Sequence, residues 1–205
     1  MDNHLIQLGF SRSQSEATLY VKFTVAGNKI ELIQRFKDEM KKIFDMTDLG
    51  KYISDILNKF KKQYCEPVSA PISTGVKLGK DEDSEKVDDC IYGSLIGSLL
   101  YLTTNSPDIL FVVSLVSRFM HSPRDTNLTA AKRVLRYIKG TSKYGIFFPT
   151  SAEVNMNLIE YSDSDWGGGV DDSRSTSGYL FCLGTSFFSW SSRKQETTAQ
   201  STAEA

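Results

Sequence analysis

The sequence predicts an α+β fold in which a helical region comes first and a β-sheet region follows. Two observations lead to this expectation. Between residues 91 and 139 the apolar side chains recur every three or four positions, which is the period of a helix with one buried face. After Gly140 the pattern changes to short runs rich in β-branched and aromatic residues, which is typical of strands. Helices and strands are therefore expected in separate regions of the chain.

The composition of the 205-residue chain is that of a globular protein, with 40% hydrophobic and 24% charged residues. The 24 basic and 25 acidic residues nearly cancel, so net charge alone gives no reason to expect a nucleic-acid ligand. Three widely spaced cysteines without a CxxC pair disfavour a disulfide framework or a zinc site and fit a reducing compartment. No apolar run is long enough to span a bilayer. We therefore expect an intracellular protein with no membrane partner.

The first 64 residues predict one short strand and two helices. Residues 19–23 form a β-like run that ends at Gly27-Asn28. Apolar residues between positions 30 and 44 have helical spacing, and a second, shorter helix is expected at residues 53–61. Residues 65–90 then combine prolines, glycines and an acidic run, which is the composition of a linker.

Three helices are expected in residues 91–143. The first, at residues 92–102, contains glycines and serines such as Gly97, which suggest a close approach to a neighbouring element. The second begins at Ser106-Pro107-Asp108, which supplies a cap, a proline at the first position and an acid in the first turn. The third covers residues 127–139 and is expected to end at Gly140.

The remaining residues, 144–205, predict a sheet. Strand-like runs occur at residues 144–148, 157–161, 178–183 and 187–191. Residues 196–205 favour the beginning of another helix.

Asp163 and Asp165 are the sharpest local candidates for chemistry. They follow a strand two residues apart, and alternation would direct both carboxylates to one face of the sheet. Hard cations such as Mg²⁺ prefer oxygen ligands, and two-metal nucleases use paired carboxylates. The residues alone also allow a simpler interpretation, a polar exit from a strand into a loop.

A second candidate is a basic helix face opposite the apolar stripe of residues 127–139. Phosphate backbones attract such a cluster, although a solvated helix face has the same pattern. The candidate nucleic-acid-binding residues are Arg124, Lys132, Arg133, Arg136, Lys139 and Lys143.

Several long strings resemble the Pol polyprotein of copia-type LTR retrotransposons, in the family's order. The strings are FKDEMKKIFDMTDLGKY (36–52), YGSLIGSLLYLTT (92–104), AAKRVLRYIKGT (130–141), YSDSDW (161–166), STSGY (175–179), SWSSRKQ (189–195) and STAEA (201–205). The first three are similar to the end of the family's reverse transcriptase, and the other four are similar to the start of its RNase H domain.

The resemblance implies a domain organisation. Residues 1–64 would be a remnant of the reverse transcriptase palm and thumb with internal deletions, and residues 65–90 a linker. Residues 91–143 would be the helical thumb or connection region. Residues 144–205 would be a truncated, incomplete RNase H-like sheet.

The resemblance also implies site residues and partners. Asp163 corresponds to the first metal-binding Asp of RNase H, Asp165 is a weaker candidate ligand, and Glu204 is a weak candidate for the catalytic Glu. In the intact family the cofactor is Mg²⁺ and the activities are RNA-templated DNA synthesis and RNA–DNA hybrid cleavage. The expected partners are an RNA–DNA hybrid or other nucleic acid and the rest of the Pol polyprotein, in a cytoplasmic particle or the nucleus.

The departures from the family's pattern affect the chemistry. The Tyr-x-Asp-Asp hairpin of the polymerase has no counterpart, and a gap is apparent near Tyr52-Ile53. Gly169 stands where the family has Asp, and Asn127 stands where it often has His. We therefore expect a catalytically inactive chain that binds no Mg²⁺ productively. The alternatives are a non-enzymatic nucleic-acid-binding role and a protein-interaction role.

Overall fold

The computed structural model describes residues 11–12, 20–21, 49–80, 83–146 and 157–205. The chain divides into two units, Met1–Thr47 and Asp48–Ala205. In the first unit, strand β1 (Ser11–Arg12) pairs antiparallel with strand β2 (Tyr20–Val21), which falls within the strand predicted at residues 19–23. The helix predicted at residues 30–44 lies outside the described residues.

The described part of the second unit contains four helices: α1 (Leu49–Lys59), α2 (Asp89–Leu102), α3 (Pro107–Ser117) and α4 (Asp125–Thr141). All four were predicted, although three of them begin two to four residues earlier than expected. Helix α2 begins early because the side chain of Asp88 accepts a hydrogen bond from the amide of Ile91 at 2.9 Å. Ser106 is the N-cap residue of α3, but its side chain makes no capping hydrogen bond.

Apolar side chains of all four helices form one core. Those of α2, α3 and α4 are the most completely buried, and Tyr92 of α2 is the largest of them. Its hydroxyl donates to the carbonyl oxygen of Val116 at 2.7 Å, and burial raises the pKa of Tyr92. This bond satisfies the one polar group that Tyr92 carries into the core. At Gly97 a Cβ would meet no described atom within 4 Å, and at Gly93 it would lie 3.9 Å from the side chain of Met120, so neither glycine is required by a close approach.

Three antiparallel strands form the sheet in the order β3 (Leu158–Asp165), β4 (Thr176–Leu183) and β5 (Ser186–Lys194). Leu183 pairs with Ser186, so β4 and β5 are joined by a two-residue turn whose Gly184 has φ of +61°. A positive φ is favourable for glycine and matches the tight hairpin turns.

Two expectations for the sheet region differ from the structure. Residues 144–146 form no strand, and residues 147–148 lie outside the described part. Residues 196–205 form turns rather than the beginning of a helix. In these residues, side chains form hydrogen bonds with backbone groups that would otherwise bond within a helix. Glu204 accepts a hydrogen bond from the amide of Gln200 at 2.8 Å, and Gln195 donates one to the carbonyl of Ala205 at 2.7 Å.

Within the described residues, no helix combines the length and the apolar character that crossing a bilayer requires.

Candidate functional site

The two aspartates predicted to share a face of the sheet do so. Asp163 pairs with Gly178 and Asp165 pairs with Thr176 of the neighbouring strand, and residues two apart in a strand lie on the same face. Tyr161, two residues earlier, belongs to this face as well. We call it the carboxylate face.

The two carboxylates have different surroundings. Asp163 is exposed, and its Oδ1 accepts a hydrogen bond from the next amide, that of Ser164, at 2.9 Å. Asp165 accepts from the amide of Thr176. The guanidinium of Arg118 donates to the hydroxyl of Thr176 at 3.0 Å. Burial lowers the pKa of Arg118, whereas the nearby negative charge of Asp165 raises it. Asp165 is therefore bound to backbone and faces a cation, whereas Asp163 is open to solvent.

The carboxylates present do not fit a two-metal centre. Two Mg²⁺ ions in a nuclease need several converging carboxylates at short range. Among the described residues, no group of three His, Cys, Asp or Glu side chains could hold a metal ion. Glu204, the weak candidate for the catalytic Glu, accepts a hydrogen bond within its own turn.

A cleft of about 590 Å³ lies between helix α3 and the carboxylate face. Phe111 and Asp108 of α3 form one side, and Tyr161, Asp163 and Trp190 belong to the sheet side. The cleft was not predictable from the sequence, because its two sides are about 50 residues or more apart in the chain and no motif connects them.

Two hydrogen bonds fix side chains of this cleft. The indole N–H of Trp190 donates to the carbonyl of Thr103 at 3.0 Å. The hydroxyl of Tyr137 donates to Asp108 at 2.8 Å, and burial together with this bond raises the pKa of Tyr137 to about 12. Tyr137 thus stays protonated at neutral pH and donates to the Asp108 carboxylate.

The basic face of α4 contacts the linker over most of its length, and its bonded cations remain partly exposed. Four of the six candidate cations donate to linker carbonyls. The bonds are Lys139 to Cys65 at 2.5 Å, Arg136 to Glu66 at 2.8 Å, Arg133 to Ala70 at 3.1 Å and Arg124 to Ser84 at 2.8 Å. Lys132 and Lys143 are exposed.

These contacts place the linker antiparallel to α4, because higher numbers on the helix meet lower numbers in the linker. A Cβ added at Gly140 would lie 3.1 Å from the Cβ of Pro67, so the two segments approach closely there. Backbone carbonyls that are buried or half-buried need hydrogen-bond donors, and a segment that forms no helix or strand cannot supply these donors from its own backbone. The cationic side chains of α4 supply the donors instead.

The loop after β3 explains why glycine fits at position 169. The amide of Gly169 donates to the carbonyl of Arg174 at 3.0 Å, and its carbonyl accepts from the amide of Ser173 at 2.7 Å. A Cβ at this position would lie 2.6 Å from Oδ1 of Asp172 and 3.0 Å from the Arg174 carbonyl. The aspartate that the family has at this position would require the loop to shift.

Asp172 of the same loop forms an ion pair with Lys194, the last residue of β5, at 2.5 Å. The hydrogen bond from Lys194 lowers the pKa of Asp172 below its ordinary value of 3.8. Because the pKa of this carboxyl is lower in the folded chain than in the unfolded chain, its ion pair stabilises the fold at pH values above the pKa of the unfolded chain. This contribution is lost as the pH falls through the pKa of the folded chain.

Replacing Asp172 with asparagine is expected to remove this contribution. The wild-type chain should be the more stable at pH 6, and the difference from Asp172→Asn should shrink as the pH falls below about 4. Urea unfolding at a series of pH values measures it. The exposed Glu196→Gln variant is the control, and a difference that stays constant with pH would contradict this assignment.

Comparisons with known proteins identify the family. The chain is 32% identical over 240 residues to the retrovirus-related Pol polyprotein from transposon RE1 of Arabidopsis thaliana, covering 99% of this chain and 16% of that protein. It is 32% identical over 219 residues to the retrovirus-related Pol polyprotein from transposon TNT 1-94 of Nicotiana tabacum, and the match covers 91% of this chain and 16% of that protein. It is also 43% identical over 114 residues to secreted RxLR effector protein 161 of Plasmopara viticola, and this match covers 55% of this chain and 79% of that protein.

The chain therefore belongs to the family of copia-type retrovirus-related Pol polyproteins of transposons. It spans 16% of the length of the Pol polyproteins that it matches. No family model matches the chain, and no solved structure matches it.

Proposed function

We propose that this chain is a fragment of the Pol polyprotein that covers the end of its reverse transcriptase and the start of its RNase H domain, and that it does not cleave an RNA–DNA hybrid by itself. The observation that carries the proposal is the carboxylate face, which presents Asp163 and Asp165 without a third converging carboxylate among the described residues. The strings of the reverse transcriptase precede this face in the sequence, and those of RNase H surround it.

The expected inactivity has a physical cause. Hydrolysis by two metal ions requires one ion for the attacking water and one for the leaving oxygen, and each needs ligands that fix its position. Asp165 is already bound to the amide of Thr176 and lies near Arg118. A single open carboxylate, Asp163, cannot position two ions. Helix α3 also packs beside this face, which narrows the approach of a duplex.

Incubation with Mg²⁺ and a labelled RNA–DNA hybrid is expected to give no cleavage above the no-protein background. The Asp163→Ala variant should match the wild type, and so should Glu160→Ala, which lies on the opposite face of the same strand. Gel analysis of the labelled RNA strand measures the result. Mg²⁺-dependent cleavage that Asp163→Ala abolishes and Glu160→Ala retains would overturn the proposal.

Interaction with the rest of the polyprotein is a second candidate, and a row of aromatic rings on the sheet favours it. The row consists of Tyr179, Phe181 and Phe188, whose successive ring centroids are 5.2 and 6.3 Å apart. Tyr179 and Phe188 are 41% and 44% exposed. A contiguous exposed apolar patch of this kind often marks a site of protein interaction.

Nucleic-acid binding by α4 has weaker support, because phosphates would compete with the linker carbonyls for Arg124, Arg133, Arg136 and Lys139. Lys132 and Lys143 alone give a small electrostatic contribution. Residence in a cytoplasmic particle or the nucleus stays an expectation from the family.

A further inference from the structure

The cleft between α3 and the carboxylate face combines aromatic walls with acidic groups. Phe111 is 41% exposed and Tyr161 is 57% exposed, although both are large apolar rings at a concave surface. The N–H of Trp190 is bound to Thr103, so its contribution to the cleft is the apolar ring. Exposed aromatic rings that converge on a concavity are the usual lining of a small-molecule site.

Gly178 leaves space beside the open carboxylate. It pairs with Asp163 across the sheet and also lines the cleft, so no side chain separates Asp163 from the cleft at this register. Glycine within a strand often marks a place where a ligand approaches the backbone. The volume of about 590 Å³ lies within the range typical of such ligands.

The charge of the cleft selects the ligand. Asp108 and Asp163 are exposed residues on opposite sides of the cleft, and the charged residues among the described lining are all aspartates. Arg118 lies near the third of them, Asp165, and offsets its charge, so Asp108 and Asp163 determine the charge that the cleft presents. Carboxylates attract cations, and aromatic faces add a favourable interaction with the same charge. We propose that this cleft binds a small organic cation with a flat apolar body, held between Phe111 and Tyr161 with its charge towards Asp108 and Asp163.

The same features disfavour other ligands. A nucleotide or phosphate would place its negative charge against these aspartates. A bare metal ion would gain little from the aromatic rings, and no group of three metal-binding side chains occurs among the described residues. This proposal does not depend on hybrid cleavage, since ligand binding at this cleft requires neither a metal nor a complete nuclease domain.

Benzamidine and benzamide are a matched pair of probes, because they have nearly the same shape and only benzamidine is charged at neutral pH. A two-dimensional NMR titration of the ¹⁵N-labelled chain follows both indole N–H signals. Benzamidine should shift the Trp190 signal, and Trp166, which does not line the cleft, is the internal control. Benzamidine is expected to bind about tenfold more tightly than benzamide, which corresponds to about 1.4 kcal/mol.

Four variants separate the contributions. Asp163→Asn should remove most of the preference for benzamidine, whereas Glu160→Gln, on the opposite face of β3, should retain it. Phe111→Ala should weaken binding of both probes, whereas Phe188→Ala should not, because Phe188 has a similar exposure but does not line the cleft. Equal affinity for the two probes, or shifts that Phe111→Ala and Asp163→Asn leave unchanged, would overturn the proposal.

Discussion

Replacing Leu99 with alanine is expected to lower the free energy of unfolding by about 2–5 kcal/mol, the range for truncating a fully buried leucine. Leu99 lies in the last turn of α2 and is 0% exposed. It belongs to the core that α1, α2, α3 and α4 share. Truncation removes apolar contacts and leaves a cavity that the surrounding helices cannot completely fill, so both effects destabilise the fold.

The next residue provides a matched control for this change. Leu100 is 39% exposed, and its replacement by alanine should cost well under half as much. Chemical unfolding followed by far-ultraviolet circular dichroism measures both variants. Similar losses for Leu99→Ala and Leu100→Ala would show that the helices do not share the core described above.

The helices could be predicted because their pattern is local. In α3, Ile109, Val112, Val113 and Val116 are the buried residues that the helical period selects, and each is at most 2% exposed. The common face of Asp163 and Asp165 was also predictable, since alternation depends only on the backbone. A periodic pattern therefore indicates which side of an element is buried, whether or not its partner is known.

The partners of these elements could not be predicted, because they depend on long-range contacts. The basic residues of α4 look like a solvated or phosphate-binding face in sequence, yet their acceptors lie 40 to 74 residues away in the linker. Asn127 is a different case: it is fully buried, but its side-chain oxygen accepts from a local partner, the amide of Arg124, at 2.9 Å. Composition alone does not distinguish a cation that binds phosphate from one that binds a carbonyl.

Replacing both Arg133 and Arg136 with alanine is expected to lower the free energy of unfolding by about 1–3 kcal/mol. Hydrogen bonds from charged groups contribute up to this amount each, and their partial exposure reduces it. The change leaves the carbonyls of Ala70 and Glu66 without these donors. The linker should then detach from α4, and limited proteolysis should cut it faster than in the wild type.

The variant Lys132→Ala distinguishes a structural role of the α4 cations from phosphate binding, because Lys132 is exposed on the same helix. If these cations mainly hold the linker, Lys132→Ala should change neither stability nor the rate of linker proteolysis, while the double variant changes both. If they mainly bind phosphate, both variants should weaken binding of an RNA–DNA hybrid at low salt, and each lost contact should reduce the dependence on salt concentration. We expect the first outcome, because a cation already bonded to a carbonyl must break that bond before it binds a phosphate. A double variant with unchanged stability and proteolysis would refute the structural role.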